Sequence, residues 1–302
     1  MKRVVSVSLG SSTRDSENEL VLAGEPVSVR RIGADGDLNR YRELLREWDG
    51  KADAIGLGGM DLWLSNGKRR YTLRDPARLA AEVKKTPVVD GSGLKAHWEP
   101  WVIAYFKPLT GLSLQDQPVF MVSAVDRFPM ARALEDAGAR LIIGDLICAI
   151  NVPIGLTSTR MLTVVATFLL PIIVRLPFQW LYPTGEKQKG YGAHRSKHAE
   201  RAAIIAGDFH FIRDFLPADC SNKVIITNTV TAADVDECRR RGALLLVTTT
   251  PAMGGRSFGA NVIEAACVAR AGRPLAPEEL TAMLRDAGVM PRIEWLSEKR
   301  SE

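Results

Sequence analysis

Two stretches decide the fold: VFMVSAVDRFPMARALEDAGARLIIGDL, from Val119 to Leu146, and VIITNTVTAADVDECRRRGALLLVTTTP, from Val224 to Pro251. Each reads as a β-branched run, about three turns of helix, the dipeptide Gly-Ala and a second apolar run, which is the plan of a βαβ unit. In the second, Thr231 stands three residues before Asp234 as a capping-box start, and Gly242 marks the helix end. The alternation continues outward on both sides. Strands are expected at Val4–Leu9, Val27–Ile32, Ala54–Leu57, Pro87–Val89, Ala203–Ala206 and Leu244–Thr248, in addition to Val119–Val122, Leu141–Ile143 and Val224–Thr227 within the two units. Leu38, Tyr41, Leu44, Leu45 and Trp48 share one face of an intervening helix. The class is α/β: two Rossmann-like parallel-sheet lobes with a ligand crevice at the carboxyl edges of the strands. The pattern breaks between Leu109 and Pro118, which divides the chain into an N-terminal α/β substrate domain, 1–113, and a Rossmann-like nucleotide-binding domain with C-terminal helices, 114–302.

Composition excludes several classes. With 46% hydrophobic and 25% charged residues over 302 positions, disorder and fibrous architectures do not fit. Forty basic against 35 acidic residues leave a net charge of +5, too mild and too dispersed for nucleic acid, and compatible with a small anionic metabolite. Cys148, Cys220, Cys238 and Cys267 are far apart and lack metal-ligand spacing, so neither disulfides nor a metal site is expected. The apolar run after the first basic residues stops at Gly10, unlike a signal peptide. The stretch Met161 to Val174 is too short to span a bilayer, contains Pro171, and reads as a buried helix. A cytoplasmic protein without membrane or nucleic-acid partners is the expectation, with Leu176–Tyr182 as a possible homodimer contact or core.

Chemistry in a parallel sheet belongs just beyond the strand ends. There the chain carries Gly10-Ser11-Ser12, Gly56-Leu57-Gly58-Gly59-Met60-Asp61, Asp90-Gly91-Ser92-Gly93-Leu94-Lys95, Ser123-Ala124-Val125-Asp126-Arg127, Gly144-Asp145, Gly207-Asp208-Phe209-His210, Asn228-Thr229-Val230-Thr231 and Thr248-Thr249-Thr250. Such residues also make turns and caps, but their recurrence at so many edges favours a polar crevice. Lys95 opens a helix and can move a proton if neighbours shift its pKa, with Asp90 close in sequence as a partner. Asp208 and His210 are further acid/base candidates, although a histidine between Phe209 and Phe211 also fits a packed role.

The unit at Val119–Leu146 has the frame of a dinucleotide site, with Asp145 placed where a ribose hydroxyl would be held. Its turn, SAVDRF, has none of the glycines of G-x-G-x-x-G, so the side chains from Ser123 to Arg127 obstruct a close pyrophosphate unless Arg127 itself holds a phosphate; Ser123, Asp126 and Arg127 are the cofactor-binding candidates of this turn. Gly254-Gly255-Arg256-Ser257 before a helix reads either as an anion site built on Arg256 and Ser257 or as a plain Gly-rich loop. Tyr182–Lys197 reads as a long polar loop.

The set SLGSS, GLGGMD, VVDGSGLK, SAVDRF, LYPTGEK, AGDFHFI and VTTTPAMGGRSFG resembles a bacterial quinate 5-dehydrogenase family over nearly the whole chain. By comparison with shikimate and quinate dehydrogenases, that resemblance implies an oxidoreductase that passes hydride between NAD or NADP and a small hydroxylated cyclic acid. Ser11 and Ser12 would correspond to carboxylate-binding serines, Lys95 to a catalytic lysine, and Asn228-Thr229, with Thr250 at the neighbouring edge, to cofactor contacts. The missing glycine fingerprint leaves a second expectation, a non-redox enzyme or sensor that binds a nucleotide or phosphometabolite in the same crevice.

Overall fold

The structure, a computed structural model, describes residues 1–22, 24–177, 197–253 and 256–297. The first part of the chain forms β1 (Lys2–Ser8), β2 (Ser16–Leu22), β3 (Glu25–Gly33), α1 (Leu38–Trp48), β4 (Ala54–Gly58), β5 (Trp63–Ser65), β6 (Arg70–Thr72), α2 (Arg74–Ala80), β7 (Val88–Val89), α3 (Ser92–Ala104) and α4 (Phe106–Thr110). There follow β8 (Pro118–Met121), α5 (Phe128–Asp136), β9 (Arg140–Ile143), α6 (Asp145–Ile150), α7 (Thr159–Ile173), α8 (Lys197–Arg201), β10 (Ile204–Ala206), α9 (Phe209–Phe215), β11 (Val224–Thr227), α10 (Ala232–Arg240) and β12 (Leu245–Thr248). Last come β13 (Ala252–Met253), β14 (Arg256–Ser257), α11 (Ala260–Ala271), α12 (Pro277–Asp286) and β15 (Arg292–Trp295).

The strands form two main sheets, ordered β2-β3-β1-β4-β7 and β15-β12-β11-β10-β8-β9. Pairing is parallel except at β2 and β15, the antiparallel edges. Neither edge was legible: SENELVL is too polar and RIEW too short to read as strands, because an edge strand needs only one apolar face and one pairing partner. The capping box at Thr231 and Asp234 forms as the spacing requires, with Gly242 at φ +80° beyond the helix end.

Two chain reversals define where a ligand can sit. From β1 the connections run to β3 on one side and β4 on the other; from β8 they run to β9 on one side and back to β10 on the other. The loops after β1, β4, β8 and β10 therefore flank the switch points of the two sheets.

The lobes interlock through two helices. Although it follows the last strand of the first sheet, α3 packs on α5 and α12, while α11, from the C-terminal part, returns to lie on β1 and β4. Asn261 at the start of α11 donates to Ser6 Oγ on β1 at 2.8 Å. A methyl group at Gly56 on β4 would stand 2.8 Å from the Asn261 carbonyl oxygen, so only glycine lets this helix end lie on the strand. One core consequently runs through both lobes, joining Val4 and Val27 to Trp98, Met121, Ile226 and Ile263.

The stretch expected to be a buried helix is helical, as α7, but only one face is covered. Leu162, Ala166 and Leu170 are buried, while Met161, Val164, Phe168 and Ile172 are exposed. Among the described residues no helix is long and apolar enough to cross a membrane.

Candidate active site

The site starts from the turn that ends β7. Asp90 is a double cap: its Oδ1 accepts the Ser92 amide at 3.0 Å and its Oδ2 the Leu62 amide at 2.7 Å. Gly91 follows in the left-handed region at φ +92°, against the backbone of α11. Helix α3 then begins with no side-chain cap of its own; Glu264 of α11 supplies one, its Oε2 accepting the Gly93 and Leu94 amides at 3.0 and 3.4 Å. Four residues apart on this helix, Lys95 and Glu99 face the second lobe. Trp98 between them donates its indole N–H to the Thr249 carbonyl at 2.6 Å.

Opposite lies the loop after β8. Lys95 bonds Asp61, just beyond β4 of the first sheet, and sits 3.7 Å from Asp126 Oδ2 of the second. Glu99 bonds Arg127, whose other guanidinium nitrogen reaches Asp208 Oδ2 at 3.1 Å and whose Nε is 3.5 Å from Asp126. A Lys-x-x-x-Glu pair on the helix thus meets an Asp-Arg pair in the loop with the charges crossed. Ser123 Oγ donates to Asp126 Oδ1 at 2.8 Å, and Asn228 donates to Asp208 Oδ2 at 3.1 Å, which extends the network to the ends of β8, β10 and β11. Glu99 and Arg127 are 0% and 1% exposed, Lys95 8%; the Asp208 side chain is 28% exposed.

Burial and pairing set the charge states. Burial opposes the Lys95 ammonium, but Asp61, and Asp126 beyond it, outweigh both burial and the Arg127 charge, so Lys95 is held above its usual pKa. Burial raises Asp126 despite the neighbouring Lys95 and Arg127. Asp208 goes the other way: Arg127 overrides its burial and brings it down to about 2.

Two carboxyls near the site are raised by burial to about 7: Asp145, from 3.8, and Glu264, from 4.5, the latter helped by Asp90. Between their unfolded and folded pKa values the native chain holds protons that the unfolded chain has released. Stability should therefore fall as pH rises from about 4 to about 7, then level off. Urea midpoints across that range check the sign, and Glu264→Gln should flatten part of the slope. A midpoint that climbs through this range would contradict the assignment.

The sequence-derived candidates divide cleanly. Lys95, Ser123, Asp126, Arg127, Asp208 and Asn228 come together. Arg127 is not available for a phosphate, since Glu99, Asp126 and Asp208 surround it. Asp90 is a cap and not the partner of Lys95; that partner is Asp61. Asp145, expected at a ribose, begins α6 and accepts the amides of Ala124 at 2.9 Å and Val125 at 3.0 Å. His210 is exposed on α9, its ring against Phe211, with only its amide bonded to the Asp208 cap at 2.9 Å. Ser11 caps the short 3-10 turn Ser12–Arg14, and the Ser12 amide is held by Asp35 Oδ1 at 2.7 Å. Thr250 is buried and donates to the Asn228 carbonyl at 2.8 Å, so it supports the β11 end; Thr229 stands beside Gly259. Ser257 is buried against Thr248 Oγ1 at 2.9 Å. Gly254, Gly255 and the Arg256 side chain lie outside the described residues, as does nearly all of the stretch Tyr182–Lys197.

Sequence reading missed Asp61, Glu99 and Glu264. Asp61 stood in the GLGGMD strand end and was signalled only by position; Glu99, in mid-helix, had only its i, i+4 relation to Lys95. Nothing local marks Glu264, because its role depends on α11 returning to the other lobe.

A two-lobed α/β chain with its polar centre between two switch points is the class that the fold and site define. By family, residues 93–296 match the domain of unknown function DUF8754, and the chain belongs to that family; residues 3–90 match the domain of unknown function DUF8753. No curated protein matches the sequence. Among solved structures, the chain is similar to a galactofuranose binding protein, with 10% identity, TM-score 0.35, and coverage of 95% of this chain and 99% of that one. It is also similar to the hetero-hexameric glutamate dehydrogenase of Thermus thermophilus, with 15% identity, TM-score 0.41, and coverage of 95% and 74%. A putative malic enzyme gives 14% identity, TM-score 0.37, and coverage of 92% and 74%.

Proposed function

We propose that the chain is an enzyme that moves a proton at a hydroxyl or carbonyl oxygen of a small polyhydroxylated metabolite held between the lobes. The observation that carries this reading is the position of Lys95, buried on a helix that joins the lobes and shared between Asp61 of one sheet and Asp126 of the other. Because Lys95 is held above its ordinary pKa, it keeps its ammonium at neutral pH and stabilises an oxyanion rather than serving as a base. Asp126, raised by burial, is the proton acceptor, with Ser123 fixing its other oxygen.

The resemblance to quinate 5-dehydrogenases supports a hydroxylated ring as substrate and would add NAD or NADP, which supplies a hydride acceptor when bound. The turn at residues 122–127 does not fit the pyrophosphate of that group. Its Ala124 and Val125 amides already serve Asp145, and its arginine is enclosed by carboxylates. That observation counts against a dinucleotide and equally against a phosphometabolite at this turn, and favours proton transfer without a bound nucleotide. A thermal-shift panel of cyclic polyols and ketones, with and without NAD or NADP, tests both. At least one ligand should stabilise the wild type and not Lys95→Met or Asp126→Asn. Full retention of every hit in Lys95→Met removes the cluster from consideration, and reduced-nicotinamide absorbance appearing with substrate restores the dehydrogenase.

A further inference from the structure

Several of the amides that flank this site are already occupied by the protein's own carboxylates, while α5, α6 and α11 begin with no side-chain cap. At the first sheet, Asp35 holds the Ser12 amide at 2.7 Å. Around α3, Asp90 holds the Leu62 and Ser92 amides at 2.7 and 3.0 Å, and Glu264 those of Gly93 and Leu94 at 3.0 and 3.4 Å. At the switch point of the second sheet, Asp145 holds Ala124 and Val125 at 2.9 and 3.0 Å, and Asp208 holds His210 at 2.9 Å. Among the described side chains of the cluster both cations are likewise engaged: Lys95 faces two carboxylates and Arg127 three. Within the cluster, Asp61, Glu99, Asp126 and Asp208 outnumber Lys95 and Arg127 by two.

We infer that the crevice takes a ligand that is uncharged or cationic and rich in hydrogen-bond donors, and that it rejects phosphates, carboxylates and the pyrophosphate of a dinucleotide. This rests on the reading of the Lys95 crevice as the site, and it replaces the expectation of a small anionic metabolite. At the Ala124-Val125 turn and at the start of α3 an entering anion meets amides that are already bonded, and throughout the cluster more carboxyl groups than cations in a medium that screens poorly. An entering hydroxyl or ammonium meets carboxylate oxygens, each of which accepts more than one hydrogen bond. The part-exposed side chains of Asp61 and Asp208, one from each lobe, are placed to do so.

The decisive experiment uncovers one amide pair. The backbone amide resonances of Ala124 and Val125 are followed in the full-length protein during titration with inorganic pyrophosphate, in wild type and in Asp145→Ala. They should stay still in the wild type, and in the variant they should move, with pyrophosphate affinity at least tenfold higher. Resonances that move in the wild type overturn the inference, as do resonances that stay still in the folded variant. Should Asp145→Ala not fold, Asp145→Leu keeps most of the volume, removes both acceptor oxygens and is judged by the same two outcomes. Failure of the crevice as a site shows separately, as a polyol panel with no Lys95-dependent hit.

Discussion

Replacing Arg127 with methionine should lower stability by about 3 to 5 kcal/mol, because it leaves the buried Glu99 without its partner and Asp126 and Asp208 without their guanidinium. Glu99 is 0% exposed, and one of its oxygens already lacks a hydrogen bond. The remaining contact to Glu99 would be Thr249 Oγ1 at 3.4 Å, a weak replacement for a guanidinium. The effect belongs to the orphaned charge and not to lost packing, which a second variant separates. Glu99→Leu combined with Arg127→Met should recover the Glu99 share of the loss, while Asp126 and Asp208 stay without their guanidinium. Urea denaturation of the two single variants and the double variant reads the coupling. Additive losses would mean that the pair does not act as a unit.

Gly91→Ala should be nearly as damaging, at about 3 kcal/mol or more, through strain and overlap together. Gly91 has φ +92°, and a methyl group there would lie 2.7 Å from the Asn261 amide nitrogen and 2.8 Å from the Ala260 side chain. Those atoms belong to the first turn of α11, whose backbone rests on β4 and whose Asn261 is bonded to Ser6, so the clash pries the two lobes apart. Gly272→Ala is the matched control: φ is +69° with nothing within 4 Å of the added carbon, so only the strain of about 1 kcal/mol remains. Equal midpoints for the two variants would show that the contact between α11 and the turn carries no weight.

The parts legible in the sequence were those encoded by local pattern. Runs such as VVSVS and VIIT are strands because both faces are buried, and parallel strands must bring their carboxyl ends together; strand-end reading therefore gathered Lys95, Asp126, Arg127, Asp208 and Asn228. The pairings among them were not legible. Asp61 and Asp90 are each near Lys95 in the fold, and which one bonds it is decided by the Leu62 and Ser92 amides that claim Asp90. Asp145 fits a ribose position by count alone, yet its carboxylate is taken by the Ala124 and Val125 amides of the SAVDRF turn. The exposed stripe of α7 was misread for a related reason: apolar content predicts burial only where a neighbouring element covers the face.

On the proposed reading a hydroxylated ring binds in the Lys95 crevice by donating to the carboxylates of Asp61 and Asp208, and not through an anionic group. Calorimetric titration of quinate and of its methyl ester, in which the carboxylate charge is removed, on wild type and Lys95→Met checks this. The account predicts that the ester binds the wild type at least about tenfold tighter than the acid, a difference of about 1.4 kcal/mol, and that Lys95→Met loses the ester. Tighter binding of the acid, or equal binding of the ester by Lys95→Met, would contradict it.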